Sequence, residues 1–97
     1  MDDYRVHNNT TAGQFEVRLE GHTALIAYLL EPGQITFDHT EVPPALEGRG
    51  IGSALAKAAL EYARQNGLAV VPLCPFVRGY LKRHPQYHKM LAKGVDL

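Results

Sequence analysis

The sequence predicts an α+β fold, and three observations carry that prediction. In the N-terminal half, strand-length segments are separated by turn residues rather than helices, which gives an antiparallel meander. An alanine-rich run ending near Gly67 then shows helical spacing. Finally, a short apolar run, Leu68–Leu73, follows that helix, as the return strand of a parallel crossover would.

Each element has its own warrant. Tyr4 to His7 reads as an edge strand, closed by the polar turn-forming cluster Asn8-Asn9-Thr10-Thr11. Phe15, Val17 and Leu19 alternate with Glu16, Arg18 and Glu20, the period-2 signature of a strand with one wet face. Glu20-Gly21-His22 makes a tight turn, and Thr23 to Leu30 is apolar enough for a central strand. Glu31-Pro32-Gly33 closes the second hairpin. Gln34 to Val42 is the third long strand; unbroken alternation puts Ile35, Phe37, His39 and Glu41 on one face, and Thr36, Asp38, Thr40 and Val42 on the other. Pro43-Pro44 ends it, because proline cannot donate to a ladder.

The helix runs from about Arg49 to Gln65, with Ile51, Leu55, Ala58, Ala59 and Tyr62 as its apolar stripe and Asn66-Gly67 as its stop. Leu68 to Leu73 pairs in parallel with the strand before the helix, through a right-handed crossover. Phe76 to Arg83 forms a short helix with Val77, Tyr80 and Leu81 inward, ended at His84-Pro85, and Tyr87 to Leu91 adds a last helical turn.

Ten basic and ten acidic residues give zero formal charge, so nothing marks nucleic acid or an anionic membrane as a partner. No apolar run approaches the roughly 20 residues of a spanning helix, and Met1-Asp2-Asp3-Tyr4 lacks the features of a secretory leader. A single cysteine cannot form an internal disulfide, which suits a reducing, cytoplasmic setting. The oligomeric state is not encoded in any feature of the sequence. Residues 1–97 read as one domain.

The chemistry concentrates between the third strand and the helix, in Glu47-Gly48-Arg49-Gly50-Ile51-Gly52-Ser53. A strand, a glycine-rich turn and a helix start together aim loop N–H groups and the free donors of the first helical turn at one spot. Glycines let an anion approach the backbone closely. Arg49 is long enough to reach over the same spot. The loop is neither a P-loop, which needs a Lys before Ser or Thr, nor the dinucleotide pattern, which needs a glycine where Ser53 or Leu55 stands.

What the loop does resemble is the pyrophosphate loop of the GNAT superfamily, the acetyl-CoA-dependent N-acyltransferases, written (Q/R)-x-x-G-x-(G/A). Gly50 and Gly52 fill its two small positions; Glu47 stands where a Gln or Arg is usual. His39-Thr40-Glu41-Val42-Pro43 and Val71-Pro72-Leu73-Cys74-Pro75 extend the resemblance to a minimal subgroup of acetyltransferase-like proteins, over roughly residues 15 to 91. The resemblance implies a GNAT-like fold, with the meander joined to the parallel strand through the main helix and a short C-terminal helix beyond. It implies acetyl-CoA as co-substrate and a small amine or protein amino group as acceptor, bound to one acyl-CoA-binding N-acyltransferase-like domain. Larger members carry extra helices that build the acceptor site, and here a hairpin turn replaces them. A non-catalytic acyl-CoA binding or sensing module is therefore the alternative.

The resemblance also assigns roles. The cofactor-binding set is Val42, Glu47, Gly48, Arg49, Gly50, Ile51, Gly52 and Ser53, with the Val42 N–H donating to the thioester carbonyl. Pantetheine would insert between Ile35–Val42 and Leu68–Leu73 where those strands splay. Amine attack on a thioester needs a proton acceptor, a stabilised oxyanion and an acid for the thiolate. His39 and Glu41 are the candidate bases; a solvated ion pair is their plain structural alternative. Cys74 is an acyl-accepting nucleophile with His39 as its only plausible basic partner, a residue near the CoA sulfur, or a small buried hydrophobe. Tyr80 is the candidate acid, with Tyr87 competing and a core position as the alternative. His84 and His88 stand at i, i+4 with Pro85 between them and no third ligand, which argues against a metal.

Overall fold

Phe15 and Val17 lie directly opposite Ile26 and Ala24, and all four are buried on one face of a five-stranded sheet. The computed structural model describes residues 4–97; part of the leader reading rests on Met1–Asp3, outside that range. The strands are β1 (His7–Asn9), β2 (Gln14–Leu19), β3 (His22–Glu31), β4 (Gln34–Glu41) and β5 (Ala69–Pro72), in sheet order 1-2-3-4-5. All neighbours are antiparallel except β4 and β5, which are parallel. Helix α1 (Ile51–Gln65) connects those two strands, and α2 (Pro75–Arg83) follows β5. Short 3₁₀ turns, Pro44–Leu46 and Pro85–Met90, precede α1 and follow α2. The fold is α+β, in the element order the sequence predicts.

Both long hairpins close through two-residue turns whose chemistry the sequence supplies. Glu20 and Gly21 both have positive φ (54° and 78°), a type I′ turn whose twist matches the flanking strands. Pro32-Gly33 places proline first and a positive-φ glycine (75°) second. The first strand sits later than expected, because Asn8 and Asn9 are ladder residues rather than turn residues. Asn8 accepts a hydrogen bond from the Tyr28 hydroxyl at 2.7 Å, and the Asn9 carboxamide oxygen accepts the Ala12 N–H at 3.1 Å to start the turn.

Helix α1 buries Ile51, Leu55, Ala56, Ala59, Leu60 and Ala63. This stripe is rotated toward Ala56, Leu60 and Ala63 relative to the expected one; Ala58 and Tyr62 lie at its margin. Phe15 packs between Tyr28 and Tyr62, with ring centroids 5.3 and 5.5 Å away. Helix α2 adds Val77, Tyr80 and Leu81 to the same core, and Tyr87 closes it. Among the described residues no helix is long and apolar enough to cross a membrane.

One expectation about β4 fails. Ala27 pairs with His39 while Tyr28 pairs with Phe37, so Asp38 is an unopposed extra residue, a β-bulge. The bulge resets the alternation. Ile35 and Phe37 are fully buried, whereas the His39 and Glu41 side chains, expected on their face, are 55% and 61% exposed. Thr40, opposite the buried Ile26, takes the inward place instead.

Candidate functional site

Strands β4 and β5 run side by side only from Gln34↔Ala69 to Phe37↔Pro72. The Phe37 carbonyl then accepts from both the Leu73 and Cys74 N–H groups, at 3.0 Å each, and the ladder ends. Two sequence features end it: β4 kinks at the Asp38 bulge, and Pro75 turns the chain after β5 into α2. Beyond the last pair lies a cleft of about 730 Å³. His39, Thr40 and Glu41 line it from β4, Glu47 from the loop, and Cys74 and Phe76 from the other side.

A second cavity of about 370 Å³ lies over the glycine loop, lined by Gly48, Gly50, Ile51, Gly52 and Ser53. Val42, Glu47 and Phe76 line both spaces, so the two adjoin as one elongated channel. Gly48 and Gly50 have φ of 76° and 77°, left-handed conformations that favour glycine. Gly50 is also the N-cap of α1 and offers no side chain to the helix end. No acceptor within hydrogen-bond geometry is found, among the described residues, for the N–H groups of Gly48, Arg49, Gly50, Ile51, Gly52 or Ser53. N–H groups without a protein acceptor take water or a ligand as partner, and six in succession at a helix N-terminus make this loop a candidate site for an anion. The Val42 N–H likewise has no protein acceptor among those residues.

The remaining candidate residues divide. His39 Nε2 lies 2.6 Å from Glu41 Oε2, so the two form an exposed pair at the edge of the cleft. Cys74, only 3% exposed, is the N-cap of α2, and its Sγ lies 2.8 Å from Thr40 Oγ1. The bulge turns Thr40 to the inner face of β4 and His39 to the outer one, so the expected Cys74–His39 pairing is not formed, and the thiol's partner is a hydroxyl. Tyr80 lines neither cavity. It is buried, stacks on the His84 ring at 3.8 Å, and its phenol is pushed up by burial. Tyr87 donates to Glu61 at 2.7 Å; burial, reinforced by that bond to a carboxylate, pushes its phenol up to about 12. His84 Nδ1 and His88 Nε2 sit against the carbonyls of Tyr80 and Leu81, so these nitrogens cap α2.

Arg49 departs from expectation too. Its guanidinium does not line the channel; it makes two hydrogen bonds to the Glu20 carboxylate, Nη1 to Oε1 at 3.1 Å and Nη2 to Oε2 at 3.0 Å. Those bonds hold the Glu20 carboxyl below its ordinary range. Phe76 and Thr40 are among the lining residues that sequence reasoning missed. Phe76 sits where the spaces meet, its ring against Gly52. Its signal was available: an aromatic at the start of α2, off the Val77–Tyr80–Leu81 stripe. Thr40 carried no such signal, because its orientation depends on the bulge.

A family model described as GCN5-related N-acetyl-transferase matches residues 14–90. The chain belongs to the GCN5-related N-acetyltransferase family. Among similar proteins, Protein NATD1 of Xenopus tropicalis is 38% identical over 84 residues, covering 84% of this chain and 77% of that one. Protein NATD1 of Homo sapiens is 37% identical over 84 residues (84% and 74% covered), and that of Danio rerio is 36% identical over 88 residues (86% and 80%). A GCN5-like protein from Staphylococcus aureus, solved by NMR, superposes with a TM-score of 0.72 at 28% identity, covering 99% of this chain and 94% of its own. The GCN5-related fold is therefore present over nearly the full chain, including the parallel β4–β5 pair and the loop between them.

Proposed function

We propose that residues 1–97 form one acyl-CoA-binding domain that transfers an acetyl group from acetyl-CoA to an amine. The observation that carries this reading is the run of unpartnered N–H groups from Gly48 to Ser53, opening on a cavity that adjoins the splayed end of β4 and β5. A diphosphate fits that loop chemically: it needs several donors close together, and Gly48, Gly50 and Gly52 present no side chain in front of them. Val42, Glu47, Ile51 and Ser53 complete the lining, and Arg49 takes part through its backbone. The pantetheine arm follows the cleft, with the unpaired edge of β4 beside it.

At the acyl end, the Val42 N–H is the donor for the oxygen on which charge develops. Glu41, paired with His39, takes a proton from the bound ammonium, directly or through water. The neutral amine so formed attacks the thioester carbonyl; the C–S bond then breaks, and CoA leaves as a thiolate that takes its proton from water. Cys74 contributes the wall beside the thioester sulfur. The cleft carries Asp38, Glu41 and Glu47 and no Lys or Arg, which favours a cationic acceptor such as a protonated amine. An acyl-CoA binding module without turnover is the second reading, favoured by the placement of Tyr80 outside the cleft and by a hydroxyl, with no basic partner among the described residues, beside the Cys74 thiol.

Thermal melting with and without acetyl-CoA tests the donor site. The expected result is a rise in Tm, as ligand binding to the native state requires, and its abolition in Gly50→Glu, which puts a carboxylate into the anion site. No shift with any acyl-CoA rejects both readings. A free-thiol release screen over amines and peptides then separates enzyme from binder. Intact mass after incubation with acetyl-CoA, compared with Cys74→Ala, shows whether the thiol carries the acetyl group.

A further inference from the structure

Glu20 is the only non-glycine residue at positive φ among the described residues, at 54°. The first central position of a type I′ turn suits Asn, Asp or Gly; a glutamate there is strained and gains nothing from the turn itself. Strain of this kind persists where something else fixes the residue. Here the hairpin register Leu19↔His22 fixes the backbone, while the Glu20 side chain is committed elsewhere: both oxygens of its carboxylate hold Arg49, 29 positions away. The same residue is gripped a second time: the Tyr4 hydroxyl donates to the Arg49 carbonyl at 2.6 Å.

Arg49 stands between Gly48 and Gly50, both left-handed and both with no neighbouring atom within 4 Å of where a Cβ would lie. Glycine on either side also widens the range of backbone angles open to this stretch. The loop donors therefore need an external anchor to converge on one anion, and the side chain and carbonyl of Arg49 are the loop's ties to β2–β3 and to the N-terminal segment. We propose that Glu20 and Tyr4 are positioning residues for the glycine loop, acting through Arg49 to hold its N–H groups in one arrangement. This rests on the reading of the loop as the acyl-CoA diphosphate site. Neither residue lines the channel, so neither touches the ligand in this arrangement.

The test uses Glu20→Asn and Tyr4→Phe in the full chain, with two readouts. Asparagine suits the turn better than glutamate, so Glu20→Asn melts at or above the wild-type temperature. Without ligand, ¹⁵N relaxation order parameters of the Gly48–Ser53 amides are expected to fall in both variants. In acetyl-CoA titrations, Glu20→Asn is expected to bind about fivefold weaker or worse. Stability and affinity thus move apart, which a merely structural role for Glu20 would not produce. Unchanged loop order, or acetyl-CoA bound as tightly as or more tightly than by wild type, overturns the positioning role. Failure of the wild type to bind acetyl-CoA overturns the diphosphate reading instead, and the relaxation data still decide whether Glu20 and Tyr4 order the loop.

Discussion

Two glycines two residues apart in the loop answer the same substitution for different physical reasons. At Gly50, with φ of 77°, an added Cβ meets nothing within 4 Å, so Gly50→Ala acts on the backbone alone. A left-handed L-residue costs roughly 1–2 kcal/mol, offset by about 0.4–1 kcal/mol from a less flexible unfolded chain. The net is a loss of about 1 kcal/mol. With an unfolding entropy near 2.1 cal/mol/K per residue, a chain of 97 residues then melts about 5 °C lower. Gly52 is helical, and alanine gains up to about 1 kcal/mol there from propensity. Its Cβ, however, would lie 2.7 Å from Phe76 Cζ and 3.2 Å from Cε1 and Cε2, so the ring must move. That ring is the end of a flexible side chain, 37% exposed, and its displacement costs about 0.5–1.5 kcal/mol. The terms cancel, leaving Tm within about 3 °C of wild type.

Ligand binding separates the two effects further. Phe76 lines both halves of the channel, so a displaced ring reshapes the junction between them. Acetyl-CoA at one hundred times its Kd stabilises by about 2.7 kcal/mol, or about 13 °C for this chain. A tenfold weaker Gly52→Ala variant loses about 1.3 kcal/mol of that, so its shift is about 6 °C smaller at the same ligand concentration. Melting curves for the three proteins with and without acetyl-CoA are the assay. A Gly52→Ala protein that keeps the full shift removes Phe76 from the site. A Gly50→Ala protein that melts with wild type contradicts the left-handed cap.

Glu41→Gln is expected to lower kcat by roughly 10²-fold while leaving acetyl-CoA affinity unchanged, as loss of a base but not of a binding group requires; titration and turnover together check this. Tyr87, raised from about 10 to about 12, favours the folded state while neutral: its contribution is complete below pH 10 and lost as pH climbs to 12. Urea unfolding across that range is expected to show the decline, with a flatter limb for Tyr87→Phe. Glu16 behaves oppositely. Hydrogen bonds from Gln14 above all, then Asn9, and the Arg18 charge outweigh burial and lower its pKa, so its contribution is present above the ordinary 4.5 and lost as pH falls below; Glu16→Gln removes that acid limb. Deleting Asp38 closes the bulge while keeping Tyr28↔Phe37 and Ala27↔His39 paired, so the protein still folds, but the straightened strand is expected to lose its acetyl-CoA shift.

The meander was legible because apolar alternation, Glu20-Gly21 and Pro32-Gly33 all act within a few residues of the structure they set. The glycine loop was legible for the same reason: left-handed backbone at Gly48 and Gly50 is a local demand that few residues meet. Arg49 shows where such reasoning stops. Its length and charge were evident, but its partner lies 29 residues upstream, and only tertiary structure decides between a carboxylate of the protein and the phosphates of a ligand. Tyr80 is a parallel case. Its helical spacing places it correctly in the core, and that burial is what removes it from the cleft.

The bulge at Asp38 explains why the cleft beyond the β4–β5 pairs was harder to read than the glycine loop. Up to Phe37 the alternation in β4 has a hydrophobic phase, with Ile35 and Phe37 inward. From Asp38 to Glu41 every residue is polar, so no apolar residue reports which face is which, and an inserted residue passes unseen. Its consequences nevertheless fall on all the chemistry-bearing groups at once. Thr40 turns in to meet Cys74, His39 and Glu41 turn out to form their pair, and pairing with β5 is over one residue before the bulge. A strand that must both anchor a core and open a cleft needs its alternation broken between those tasks, and the break leaves no mark in hydrophobicity because it falls where burial ends.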